Sequence, residues 1–247
     1  MWVVGDKLGV MVKVIAHRGA SAAARENTIE AFRLAAELGA DWVELDARRT
    51  SDGHIVVNHD AELPDGRVIC ELTRSDLPSY ICELHEALDA AAGLSVNIEI
   101  KNFPGDADFD ETETVARQVV ELVGQRGQQA GVLISCFHRP TIDLIRELDP
   151  AIATAMLGYQ PTDAGLNDGD WAGWMDAIAS GGHRAAHLWY PVVDATVLNA
   201  AHAVGLEVNV WTVNDPADMA ALIDAGVDGL CTDVPDVARA VLDELGL

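Results

Sequence analysis

Short apolar runs alternate with longer stretches of helical periodicity along the chain. The runs lie at 12–16, 42–47, 95–100, 132–136, 151–157, 186–190, 207–213 and 228–232, each of strand length and rich in Val, Ile and Leu. Between them, apolar residues recur at helical spacing over 28–38, 83–92, 110–126, 139–148, 170–180, 194–204, 216–225 and 235–245. Several helical patterns stop on a glycine just before the next run, at Gly39, Gly93, Gly205 and Gly226, the residue type that most easily leaves a helix through a left-handed turn. Asp41 and Asp228 then repeat one formula, Gly-x-Asp followed by a strand.

Eight strand–helix units in 247 residues, about 31 residues per unit, predict a (β/α)8 TIM barrel occupying 1–247 as one domain, with 1–10 a loose leader and Met11 an alternative start. The competing architecture, an open doubly wound sheet, would carry Gly-x-Gly-x-x-Gly after its first strand, and this chain does not. One segment breaks the alternation. Residues 42–60, WVELDARRTSDGHIVVNHD, leave no room for a helix, and Asp52-Gly53 between two extended runs predicts a β-hairpin extension after the second strand. A two-residue turn at 52–53 sets Arg48 opposite Val57 and Asp46 opposite His59. Glu44 shares the face of Asp46, so turn chemistry alone predicts a cluster of Glu44, Asp46 and His59.

Charge narrows the function. Asp and Glu number 40 against 16 Lys and Arg, a net charge of −24, which repels nucleic acid and anionic membrane surfaces. No run of 18 apolar residues is present, so no stable membrane insertion is expected. The four cysteines lack Cys-x-x-Cys spacing, and Cys136 and Cys231 sit inside strand-like runs. This pattern predicts buried thiols, no structural disulfide and a cytoplasmic protein.

Three short constellations carry chemistry. His17-Arg18-Gly19 follows the first strand, where a barrel opens its mouth, and arginine offers a fork for phosphate oxygens. Glu44-x-Asp46 sets two carboxylates on one strand face, an unfavourable pairing without a cation between them, unless one turns out toward Arg48 or Arg49. Asn97-x-Glu99-x-Lys101 is a polar ladder alternating with Val96, Ile98 and Ile100. It reads either as an inward-facing functional row or as a plain Glu99–Lys101 salt bridge. Taken together, Glu44, Asp46 and Glu99 supply three hard oxygen ligands for a divalent cation, Mg2+ or Ca2+. Arg18 and Lys101 supply positive charge for an anionic diester, and His17 and His59 an acid/base pair near neutral pH. Of the other histidines, His54, His85, His183 and His202 read as surface residues, whereas His138 and His187, near strand ends, are open to either reading.

The ordered set of motifs resembles the glycerophosphodiester phosphodiesterase family. It comprises His17-Arg18-Gly19, Glu26-Asn27-Thr28, Ala31-Phe32, Gly39-Ala40-Asp41, Glu44-Leu45-Asp46, Thr50-Ser51-Asp52-Gly53, His59-Asp60, Ile98-Glu99-Ile100-Lys101, Trp211-Thr212-Val213-Asn214 and the closing stretch from Gly226 to Asp233. The resemblance implies a barrel, a divalent metal and hydrolysis of small-molecule glycerophosphodiesters to sn-glycerol 3-phosphate and an alcohol. Carried over by position, it makes Glu44, Asp46 and Glu99 metal ligands and His17 and His59 the catalytic pair. Arg18 and Lys101 would contact phosphate, and Trp211 the substrate side of the mouth. Arg25 stands where the family has proline before its Glu-Asn-Thr. A barrel relative acting on lysophospholipids or other phosphodiesters, and a non-catalytic binding barrel, are the alternative readings.

Overall fold

A computed structural model describes residues 12–160 and 169–247; the expected leader at 1–10 lies outside them. Eight parallel strands close into a barrel: β1 (Lys13–Ala16), β2 (Trp42–Arg49), β4 (Ser95–Ile100), β5 (Val132–Cys136), β6 (Ala153–Gly158), β7 (Ala185–Trp189), β8 (Glu207–Trp211) and β9 (Gly229–Thr232). Closure is made by β1, which pairs with β2 on one side and β9 on the other. Helices α1 (Ile29–Glu37), α2 (Leu84–Ala90), α3 (Thr114–Arg126), α4 (Arg139–Leu148), α5 (Trp171–Ser180), α6 (Ala195–Ala203), α7 (Pro216–Ala225) and α8 (Pro235–Leu245) return the chain between strands, with α8 following the last. Thr28, Asp194 and Asp215 cap α1, α6 and α7 by accepting first-turn N–H groups, as their side-chain oxygens are suited to do.

The main core lies between barrel and helices. Val43, Leu45, Val96, Ile98 and Ile100 point outward into it beside Phe32, Ala35 and Leu88. The barrel interior is divided. Leu133, Ala155 and Ala185 plug the floor, while polar side chains from β2, β4, β7 and β8 occupy the upper part. The repeated Gly-x-Asp formula has a physical role there. Gly39 and Gly226 take left-handed conformations (φ 81° and 101°). The aspartate that follows each receives a backbone N–H of the neighbouring strand: Asp41 from Val14 at 2.8 Å, and Asp228 from Val208 at 2.7 Å.

The hairpin forms, but its register is one residue from the expected one. Strand β3 (Ile55–Val57) pairs Val57 with Ala47 and Ile55 with Arg49, and the Asn58 N–H, not that of His59, bonds the Asp46 carbonyl at 3.0 Å. The turn has three loop residues rather than two. Thr50 N–H donates to the His54 carbonyl and Gly53 sits at φ 88°. The longer loop is favoured because Thr50 Oγ1 donates to Asp52 and also accepts from the His54 N–H, bonds a tight two-residue turn would not offer. A single-residue slip reverses faces along a strand. His59 therefore reaches the mouth only because the strand ends at Val57 and the chain bends. The segment that follows, through short 3-10 turns at Ile69–Glu71 and Arg74–Asp76, encloses a second small core of Val56, Leu63, Ile69, Leu77 and Ile81.

Candidate active site

The loop after β1 is built to present its polar atoms. Arg18 takes a left-handed conformation (φ 56°), which turns its backbone N–H onto Glu44 Oε2 at 2.8 Å. Gly19 follows at φ 83°, and a Cβ there would lie 2.7 Å from the backbone of Ala31. Only glycine meets both conditions. The Glu26-Asn27-Thr28 motif has a local explanation too. Glu26 pairs with Arg18 at 3.1 Å, Asn27 Nδ2 donates to Asp46 Oδ2 at 2.7 Å, and Thr28 caps α1.

Strands β2 and β4 run in register, with Glu44 beside Asn97 and Asp46 beside Glu99. The period of two therefore sends all four inward together. One oxygen each of Glu44, Asp46 and Glu99 lies within 4.8 Å of the others. Glu44 and Asp46 are buried, and each has one oxygen held by a fixed donor. Their other oxygens, Glu44 Oε1 and Asp46 Oδ1, are buried without a hydrogen bond. Buried carboxylate oxygens left without a hydrogen bond are costly, and a hard divalent cation could satisfy both of them together with an oxygen of Glu99. The donor set is all oxygen, which fits Mg2+ or Ca2+. Lys101 Nζ donates to Glu99 at 2.7 Å and stands 3.5 Å from Asp46. Burial, and next the adjacent Asp46 charge, push Glu44 above the usual carboxylate range. Burial acts the same way on Asp46, but the charges of Lys101 and Arg18 outweigh it and hold this carboxyl low.

His17 Nδ1 meets Asp233 at 2.7 Å. Asp233 is itself gripped by Ser21 Oγ at 2.9 Å and Asn214 Nδ2 at 2.7 Å. Burial disfavours the His17 imidazolium, yet the bond to Asp233 and the nearby Glu44 charge raise its pKa above the ordinary value. His59 Nδ1 meets Asp60 at 2.7 Å. In both rings the Nδ1 contact leaves Nε2 free for proton transfer.

An inner cavity of about 150 Å3 is lined by His17, Arg18, Glu44, His59, Glu99, Lys101 and Trp211, with Asp46 just behind. The structure thus brings together all eight residues singled out from the sequence. The Arg18 Nε is buried there without a hydrogen bond, 3.5 Å from Asp46 Oδ2. Trp211 donates through Nε1 to the His187 carbonyl, which fixes its ring against the site. A larger trough of about 880 Å3 adjoins the inner cavity and shares His59, Glu99, Lys101, Phe137 and Tyr159 with it.

Several supporting residues escaped the sequence reading. Asp233 and Asn27 were noted only as parts of motifs, and their partners lie 216 and 19 positions away. Arg48, weighed only as a surface counter-charge, is buried. It meets both oxygens of Asp108 at 2.6 Å and donates through Nε and Nη2 to the His59 carbonyl at 2.9 and 2.6 Å. Neither partner could be foreseen, because Asp108 lies in a loop without periodicity. His183, expected on the surface, is buried between Thr154 and Asp143. His187 is buried in the barrel interior, where Asn209 donates to its Nε2 at 2.9 Å. The four cysteines are free, and among the described residues no helix is long and apolar enough to cross a membrane.

Comparison with known proteins agrees with this geometry. The chain is 31% identical to a glycerophosphodiester phosphodiesterase of Bacillus altitudinis, covering 95% of this chain and all of that one, and 30% identical to one of Caldanaerobacter subterraneus over 90% and 94%. An Oleispira antarctica phosphodiesterase solved with the product sn-glycerol-3-phosphate superposes with a TM-score of 0.82 at 26% identity, over 94% of this chain and 96% of that one. The model of the glycerophosphoryl diester phosphodiesterase family matches residues 17–237, and the chain belongs to that family.

Proposed function

We propose that the protein hydrolyses glycerophosphodiesters to sn-glycerol 3-phosphate and an alcohol in a divalent-metal-dependent reaction. One observation carries this reading. Buried oxygens of Glu44 and Asp46 and the buried Nε of Arg18, none of them hydrogen-bonded, converge at or just behind one small cavity, between two histidines each oriented by a carboxylate. Glu44, Asp46 and Glu99 would hold Mg2+ or Ca2+, which would supply Lewis-acid polarisation of the phosphoryl group. Arg18 and Lys101 bind the phosphate oxygens and neutralise charge there. His17, which lines the inner cavity alone, takes the proton from the attacking oxygen, either a water or the neighbouring glycerol hydroxyl. His59, which lines both cavities, protonates the alcohol as it departs through the trough. Trp211 packs against the glycerol moiety.

Phosphodiesters bearing an acyl chain are the second reading. They draw on exposed aromatic surface at the mouth, at Phe103, Tyr159 and Trp189, and vesicle co-sedimentation tests them. The primary assay is release of glycerol 3-phosphate from glycerophosphocholine with Mg2+ or Ca2+ and after EDTA. Activity is expected to vanish with EDTA and in Glu99→Gln, whose fold is retained. Full activity in EDTA overturns the metal site.

A further inference from the structure

A barrel interior is ordinarily filled by branched apolar side chains, yet the base of the inner cavity is polar. Asn97, His187 and Asn209 line it from β4, β7 and β8, each 4% exposed. Asn97 and Asn209 stand two residues before Glu99 and Trp211 on their strands, which sets them one inward step, about 6–7 Å, deeper than those side chains. His187 neighbours Asn209 in register, and the Asn209 amide donates to its Nε2 at 2.9 Å. Gly229 makes room for this amide, since a Cβ there would lie 2.4 Å from Asn209 Oδ1. An imidazole that accepts at Nε2 carries its proton on Nδ1. Burial, with the Lys13 charge adding to it, pushes the His187 pKa down to about 3, so the ring is neutral near neutral pH. Its Nδ1 has no hydrogen-bond partner among the described residues, and Asn97 Oδ1 is buried without one. The base of the cavity thus holds a fixed donor and an unmet acceptor, and the reaction proposed above uses neither.

Resting on the function proposed above, we infer that His187 and Asn97 form a hydroxyl pocket for the terminal hydroxyl of the substrate's glycerol chain, with Asn209 the positioning residue that fixes the donor. A hydroxyl accepts one hydrogen bond while donating another, so it meets the imidazole N–H and the amide oxygen together. An apolar end would leave both unpaired, and a second anionic group would face the amide oxygen with charge of the same sign. With the phosphate held by Arg18 and Lys101 above, the terminal hydroxyl is the part of the glycerol chain that reaches the deeper layer. Burial sharpens the choice, because a site built to hydrogen-bond a hydroxyl rejects the analogue that lacks it.

The test compares kcat/KM for glycerophosphocholine with that for the phosphocholine diester of propylene glycol, which lacks only the terminal hydroxyl. The wild-type protein should prefer the glycerol diester by at least about tenfold. His187→Phe keeps the bulk of the ring without its donor. It should lose most of that factor on the glycerol diester and stay within about twofold on the propylene glycol diester. Asn209→Leu leaves the ring in place but frees its tautomer, and should lower the preference about threefold, mainly through KM. Imidazole nitrogen NMR reads the same arrangement without turnover: His187 should be the Nδ1–H tautomer in the wild-type protein and move toward the Nε2–H form in Asn209→Leu. An Nε2–H ring in the wild-type protein, equal kcat/KM for the two diesters, or variants that slow both alike, overturns the inference while the proposed function stands. Failure to release glycerol 3-phosphate from any glycerophosphodiester overturns both.

Discussion

Arg48 offers the most exacting test of how the barrel holds the turn that carries His59. Its guanidinium and the Asp108 carboxylate are each about 3% exposed and meet at 2.6 Å, while its other edge grips the His59 carbonyl. Arg48→Met removes the charge and nearly preserves the bulk. It leaves Asp108 buried without a partner and the His59 carbonyl without two donors. Breaking one side of a buried ion pair costs about 3–5 kcal/mol, a large part of the total stability of a domain. For a chain of this length that corresponds to a fall in Tm of about 6–20 °C. Arg48→Lys keeps the charge but not the fork, because one ammonium cannot serve Asp108 and the His59 carbonyl together; it should recover stability only in part. The double variant Arg48→Met/Asp108→Leu removes both buried charges and should regain most of the lost stability, since apolar replacement of a buried pair is near neutral. Its turnover should stay low, because the His59 carbonyl has lost both of its guanidinium donors. Urea unfolding and kcat on glycerophosphocholine separate the two effects. A loss under about 1 kcal/mol in Arg48→Met would show that the pair does not hold the fold. Wild-type turnover in the stabilised double variant would show that His59 needs no such anchor.

Three further outcomes are expected. Replacing the histidine that protonates the leaving group should spare an activated diester: His59→Ala should retain disproportionate activity on a nitrophenyl ester and His17→Ala should not, and the opposite pattern would exchange their roles. Burial, with the Lys13 charge adding to it, pushes His187 down to about 3, so from pH 6.5 downward the unfolded chain takes up a proton that the folded one refuses, and stability declines toward pH 3 by on the order of 4–5 kcal/mol. In His187→Gln that part of the slope should be missing, and a wild-type-minus-variant difference that stays flat between pH 7 and pH 4 would contradict the assignment. Gly19→Ala should cost about 1–3 kcal/mol and displace His17 and Arg18, read as a lowered Tm together with lost turnover, because it combines a left-handed backbone with a 2.7 Å approach to Ala31; an unchanged Tm would mean the turn relaxes freely.

What the sequence determined by itself was whatever depends on local period and punctuation. Apolar runs of strand length, helical spacing and terminal glycines placed all eight barrel strands within a few residues of their positions. Strict alternation in Glu44-x-Asp46 and Asn97-x-Glu99-x-Lys101 put these polar side chains on one face, because a strand has no other way to orient them. The hairpin was legible but its register was not. Asp-Gly admits two- and three-residue loops, and bonds among Thr50, Asp52 and His54 decide between them. Tertiary structure alone decided everything that depends on closure. Bringing β1 against β9 delivers Asp233 to His17 across 216 positions, and the buried Arg48–Asp108 pair carries the turn of His59 to the mouth. Such partners leave no periodic trace in the chain, because their energies arise from burial and distance, and both exist only once the barrel has closed.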